Sequence, residues 1–271
     1  MISAARFHPG PLARLLIASI GVVLFASSWY GQSEACTLPP DHAGLTFPVE
    51  RVDPAWACRL RSITQNNSIE SQVGPILTAL SGALYRYLLD DPPFAAALIR
   101  RLKLGLYQSE GRGPRRFWGD DGEGSKGIVE VVYEDPTSRI YFLEGTHESR
   151  LLPHLKGKAV VFLRIGIMQD ENSHETTVST LVAYTKLDNP FLSGLASILH
   201  PLVSRIAASR LKKGVETVDR LGVVMRLNPQ RVLAEAQNPP SLPEHHVAFL
   251  KQVLIRQHIP ENGSSEGRSI P

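Results

Sequence analysis

The chain has 271 residues, 43% of them hydrophobic and 20% charged, with a formal net charge of +3. That length is enough to bury a substantial core, as one large domain or two small ones. The weak charge excludes the concentrated basic face that nucleic-acid binding requires and leaves peripheral contact with a membrane surface open.

Arg6 and Arg14 precede an apolar run at residues 15–29 (LLIASIGVVLFASSW), and Ser33-Glu34-Ala35 follows as a small-x-small cleavage site. The run has the length of a signal core and falls short of the ~18 apolar residues of a membrane span. This predicts a secretory signal over residues 1–35 and an exported chain, periplasmic or secreted, that starts at Cys36. Without the signal the net charge is about +2. Two other readings stay open. One is a lipoprotein lipidated at Cys36, although Ser33 and Glu34 stand where a lipobox has an aliphatic and then a small residue; the other is an uncleaved anchor. Cys36 and Cys58 are the two cysteines. In an oxidising compartment they pair most simply in one disulfide, closing a loop of about twenty residues and contributing on the order of 3 kcal/mol. Acylation of Cys36 through its sulfur forbids that bridge. No CxxC or CxxCH occurs, so no zinc or haem site is predicted and no cofactor is called for.

Residues 36–67 read as an irregular segment, with Pro39-Pro40, Pro48 and Pro54. From Ser68 the spacing of Ile69, Val73, Ile76, Leu77, Leu80, Leu84 and Leu88 predicts a helix, with Pro75 as a flaw or its first turn. Asp91 is a candidate N-cap for a second helix over residues 93–103. Residues 111–127 are glycine-rich and read as a flexible loop. Four strands follow, at 128–133 (IVEVVY), 139–145 (RIYFLEG), 158–168 (KAVVFLRIGIM) and 176–186 (TTVSTLVAYTK), and they predict an antiparallel meander. Asp188-Asn189-Pro190 opens a long helix with the stripe Phe191, Leu195, Ile198, Leu199, Leu202 and Ile206; Pro201 is expected to kink or divide it. The helical period continues to about Leu227. A short helix at 230–237, a linker and an amphipathic helix near 243–258 complete a domain predicted over 68–237 and a C-terminal element over 238–259; residues 260–271 read as disordered.

The fold class is therefore α+β: an antiparallel β meander covered by a long C-terminal helix, with N-terminal helices. Over residues 68–227, the hairpin IVEVVY with RIYFLEG, the pair KAVVFLRIGIM with TTVSTLVAYTK and the helix opening NPFLSGLASILHPLV make an order that resembles the helix-grip family of START-like lipid-binding domains. The resemblance implies a curved sheet gripping the long helix around an apolar cavity that takes a lipid or other apolar small molecule. The family has a strand before its first helices, and the candidate for it here is residues 45–52.

Strand alternation nominates the cavity lining. Tyr141 and Leu143 share a face, as do Val161, Leu163, Ile165 and Ile167, and likewise Val178, Thr180, Val182 and Tyr184; Leu195, Leu199 and Leu202 face them from the helix. The same pattern also builds a solid core. Arg164 interrupts an apolar strand, as a cavity cation holding a headgroup or as a residue of the wet face. His147, Glu148, His154, His174 and Glu175 raise an acid–base or metal reading, but HExxH, GxSxG and phosphate-loop patterns are absent, so no catalytic or metal residue is assigned. Arg205, Arg210, Lys212, Lys213 and Arg220 make a basic helix face. The expectation is a non-catalytic carrier or sensor of an apolar molecule. The alternatives are a hydrolase or cyclase of the same fold using His147 and Glu148, and an envelope interaction module docking through an exposed stripe of Val247, Leu250, Val253 and Leu254.

Overall fold

The computed structural model describes residues 36–148, 154–170, 174–188 and 192–256, with the side chains at 192–200, 202, 203 and 256 excepted. The expected signal at 1–35 and tail at 260–271 lie outside these residues.

A short hairpin comes first, β1 (Asp41–His42) and β2 (Leu45–Thr46). Ala43 and Gly44 turn it at φ 49° and 79°, the positive pair that a two-residue hairpin needs. The segment expected to be irregular then forms a helix, α1 (Pro54–Thr64). Asp53 caps it by accepting from the Ala55 N–H at 2.8 Å, and Pro54 occupies the first position, where a missing N–H costs nothing. Cys36 and Cys58 are joined in a disulfide.

The next element differs from its expectation. Residues expected to be helical form strand β3 (Ile69–Thr78), and only the end of that stretch is a helix, α2 (Gly82–Asp90). Pro75 marks the difference. It sits where the register of β3 shifts between Val73 and Ile76, on an edge strand, the setting in which a sheet tolerates proline. The strand expected from 45–52 is thus supplied by β3. Helix α3 (Pro92–Arg101) follows, capped by Asp91 accepting from the Phe94 N–H at 2.9 Å.

The glycine-rich stretch is a strand region too. It holds β4 (Gln108–Gly111), β5 (Arg116–Asp120) and the start of β6 (Ser125–Glu134). With β7 (Ser138–His147), β8 (Leu155–Gln169) and β9 (Glu175–Leu187) they form one seven-stranded antiparallel sheet in the order β3-β9-β8-β7-β6-β5-β4. The first strand closes against the last. Helix α4 (Leu192–Leu227) runs through Pro201 as one element and packs along β3. Helices α5 (Pro229–Gln237) and α6 (Glu244–Arg256) end the described chain. The architecture is α+β with a helix-grip-like arrangement.

Both faces of the sheet are apolar. One, the outer face, carries Ile140, Phe142, Val160, Phe162, Val182 and Tyr184 beneath Leu38, Phe47, Val49, Val52, Leu60 and Ile63. The N-terminal segment is therefore a layer of the fold. On the inner face Leu163 and Ile165 pack with α2, α3, α5, α6 and the end of α4, through Leu84, Leu98, Leu221, Met225, Val232 and Leu250.

Candidate functional site

Register decides which side chains meet. Tyr141 pairs with Val161 and Val161 with Ala183; Leu143 pairs with Ala159. Val131 and Val129 pair with Tyr141 and Leu143 from the other side. Directly paired residues share a face, so these form the floor of the inner face. Phe162 pairs with Val182 and Val160 with Tyr184, which sets Val182 and Tyr184 on the outer face. The nominated set therefore divides. Tyr141, Leu143, Leu163 and Ile165 lie on the inner face; Val182 and Tyr184 do not. A one-residue parity error in pairing β9 moves its whole set across the sheet. Arg164 pairs with Thr180 on the outer face and is exposed, so it is no cavity cation. Leu195 and Leu199 belong to α4, and their side chains lie outside the described residues.

The two faces close to different degrees. On the outer face Ile140, Val160, Phe162 and Val182 are each 0% exposed. On the inner face of the same strands Leu163 and Ile165 are buried, whereas Tyr141, Leu143, Ala159 and Leu181 remain partly exposed, as does Val129. Among the described residues, Val129, Leu143 and Val161 pack into neither core cluster. Over β6, β7 and β8 the inner face is therefore the less completely covered of the two, and this apolar strip is the candidate groove.

Glycines shape one end of this groove. Gly119, Gly127, Gly145 and Gly157 stand opposite one another across β5, β6, β7 and β8. A Cβ on Gly145 would come within 2.5 Å of the Lys126 carbonyl oxygen, and one on Gly127 within 2.4 Å of that of Glu144. At Gly127 and Gly145 only glycine permits so close an approach of neighbouring strands. At this end the β5–β6 loop is tied to α4: Glu123 pairs with Arg210 and Lys213, and Arg210 lies 3.9 Å from Asp121. Part of the basic helix face is thereby neutralised within the molecule.

The opposite end is polar. Arg139, 3% exposed, donates through Nη2 to Asp90 of α2, and its Nη1 lies 3.6 Å from Glu134. Tyr141 stands beside it, and Tyr85 of α2 faces Ser179 and Arg139. Burial raises both phenols; at Tyr85 a hydrogen bond with Ser179 and then Arg139 oppose the shift, and at Tyr141 Arg139 does. Arg139, Tyr85 and Ser179 carried no sequence signal. An arginine at a hairpin and a serine in a β-branched strand look like surface positions until the register turns them inward.

The histidines do not assemble into a site. His147 Nδ1 lies 3.0 Å from Ser125 Oγ; His154 and Glu148 form an exposed pair at 3.1 Å; His174 pairs with Asp170 at 3.4 Å. Among the described residues no three His, Cys, Asp or Glu side chains are grouped to hold a metal ion. The stripe of α6 is packed: Val247, Leu250 and Leu254 lie in the inner core. Buried His246 stacks on Phe94 with ring centroids 4.1 Å apart and its Nδ1 lies 2.8 Å from Tyr87 Oη. No helix among the described residues is long and apolar enough to cross a membrane.

No protein-family model matches the chain, and no curated protein matches it. Solved structures of similar shape include a conserved protein from Geobacillus kaustophilus, with a TM-score of 0.41 at 14% identity, covering 57% of this chain and 93% of that one. Another, a protein from Thermus thermophilus, has a TM-score of 0.35 at 15% identity, covering 61% of this chain and 97% of that one. The fold assignment rests on the strand order and register described above.

Proposed function

We propose that this is an exported, non-catalytic protein that binds or carries an apolar small molecule or lipid in the groove between the sheet and α4, in the manner of START-like domains. The observation that carries the reading is the unequal closure of the two faces. Ile140, Val160, Phe162 and Val182 are fully buried on the outer face, whereas apolar Val129, Leu143 and Ala159 on the inner face stay partly exposed. Removing that apolar surface from water is the driving force for a ligand, at about 25 cal/mol per Å² buried. Export is supported by the disulfide and by the signal-like first residues.

Native mass spectrometry of protein purified from its own host tests the reading, together with titration by an uncharged fluorescent probe such as N-phenyl-1-naphthylamine. Binding is expected with fluorescence enhancement, weakened by Leu143→Asp and by Val161→Asp and unaffected by Arg164→Ala. Failure of the folded protein to bind any apolar probe, together with recovery from the host without an apolar species, refutes it.

A further inference from the structure

The inner end of the groove is a cluster of hydrogen-bond donors. Among the described residues, Arg139 Nε and Nη1, Tyr141 Oη and Ser179 Oγ are buried and make no hydrogen bond of ordinary geometry, although Tyr85 approaches Ser179 and Arg139 approaches Tyr141. Leaving such groups unpaired costs on the order of 1–3 kcal/mol each, so a cluster of them favours the entry of an acceptor. Of the three residues, Arg139 is 3% and Ser179 0% exposed, whereas Tyr141 is partly exposed. Its ring is therefore the route from the apolar floor to the donors.

Charge decides what kind of acceptor fits. The Arg139 guanidinium is already paired with Asp90, and the second acid beside it, Glu134, is shared with Arg115 at 3.3 Å. No positive charge is left over. A carboxylate or phosphate placed here would meet Asp90 and Glu134 without a cation of its own, whereas a neutral oxygen would meet donors alone.

We infer that this end of the groove recognises an uncharged oxygen acceptor, a hydroxyl or carbonyl borne by the apolar ligand, through Arg139, Tyr141 and Ser179. The inference rests on the binding reading above. The ligand class is then an apolar alcohol, ketone or ester, oriented with its oxygen toward α2 and its hydrocarbon over Val129, Leu143 and Val161. Tyr141 is the specificity-determining residue. It offers the apolar floor its ring and the ligand its hydroxyl proton.

The test is displacement of N-phenyl-1-naphthylamine from the full chain by dodecane, dodecanol and dodecanoate. Dodecanol is expected to compete about tenfold better than either of the others, the size of one hydrogen bond gained in a dry site. Tyr141→Phe keeps the ring and removes only the oxygen. It should cut the preference for dodecanol over dodecane to about threefold or less, read as the ratio of the two competition constants within the variant. Ser179→Ala should lower the same preference without altering the melting temperature by more than a few degrees, about what a 1 kcal/mol change produces. Equal competition by dodecanol and dodecanoate overturns the inference while leaving the binding reading standing. So does a Tyr141→Phe variant with an unchanged preference. Absence of naphthylamine binding to the wild-type chain overturns the binding reading itself.

Discussion

The two faces of the central sheet are built from the same strands and finished differently. The outer face is closed by a segment that arrives before the sheet in the chain. Phe47 packs on Phe162 with ring centroids 5.1 Å apart, His42 stacks on Phe162 at 3.8 Å, and Trp56 lies 5.3 Å from Phe142. The inner face is covered by helices that pack on the β3 side and around α2, and its middle is left partly open. Large aromatic side chains fill the outer layer, whereas Val129, Leu143 and Ala159 on the inner floor are smaller and stay partly exposed. Residue size, more than hydrophobicity, separates a solid core from a groove.

The largest expected effect lies on the closed side. Phe162→Ala should destabilise the fold by about 3–5 kcal/mol, because a fully buried ring leaves a cavity that its neighbours cannot fill. Leu143→Ala, on the less covered side, should cost clearly less, about 1–2 kcal/mol, since part of its surface is already in water and it packs into neither core. Urea unfolding of both variants checks this, and equal losses would erase the distinction between the faces.

Gly145→Val comes next. Its side chain enters the space of the Lys126 carbonyl, so β6 and β7 must shift apart there, at about 1–3 kcal/mol. The shift displaces the neighbouring floor residues Val129 and Leu143. The variant should therefore melt earlier and bind the naphthylamine probe more weakly, two readouts that separate a displaced floor from a mere stability contribution.

The smallest effect sharpens the comparison through pH. Burial lowers the pKa of His42 beneath its ordinary 6.5, partly offset by the Pro39 backbone and Asp41. His246 is lowered by burial too, with Asp91 opposing. The folded state thus binds fewer protons than the unfolded chain. The stability each contributes is complete above about pH 6.5 and is lost as the pH falls through the folded value. His42→Gln should flatten the decline of melting temperature between about pH 7.5 and about pH 5, leaving the part due to His246. An unchanged slope would mean that the outer layer takes no part in acid sensitivity.

Several elements were legible from the chain alone, and their legibility has a local cause. The last four strands follow from period-two alternation and β-branched residues, and α3 from the Asp91 cap. The fold class follows from the order of these elements. Other features had no local signature. Ile69, Val73, Ile76 and Leu77 satisfy a helical and a strand spacing equally, and β3 becomes a strand because β9 offers it an edge. The glycine-rich stretch becomes three strands because its glycines meet those of β7 and β8 across the sheet.

What the sequence by itself determined was the last four strands, the helical cover and the cysteine pair, since each is written in neighbouring or identical residues. What only the tertiary structure decided was which side of the sheet each strand shows to the helices. Side chains alternate with a period of two, so one residue of register moves Val182 and Tyr184 to the sealed outer face and brings Arg139, Tyr141 and Ser179 together at the end of the groove. Register is a property of paired strands, and no single strand contains it.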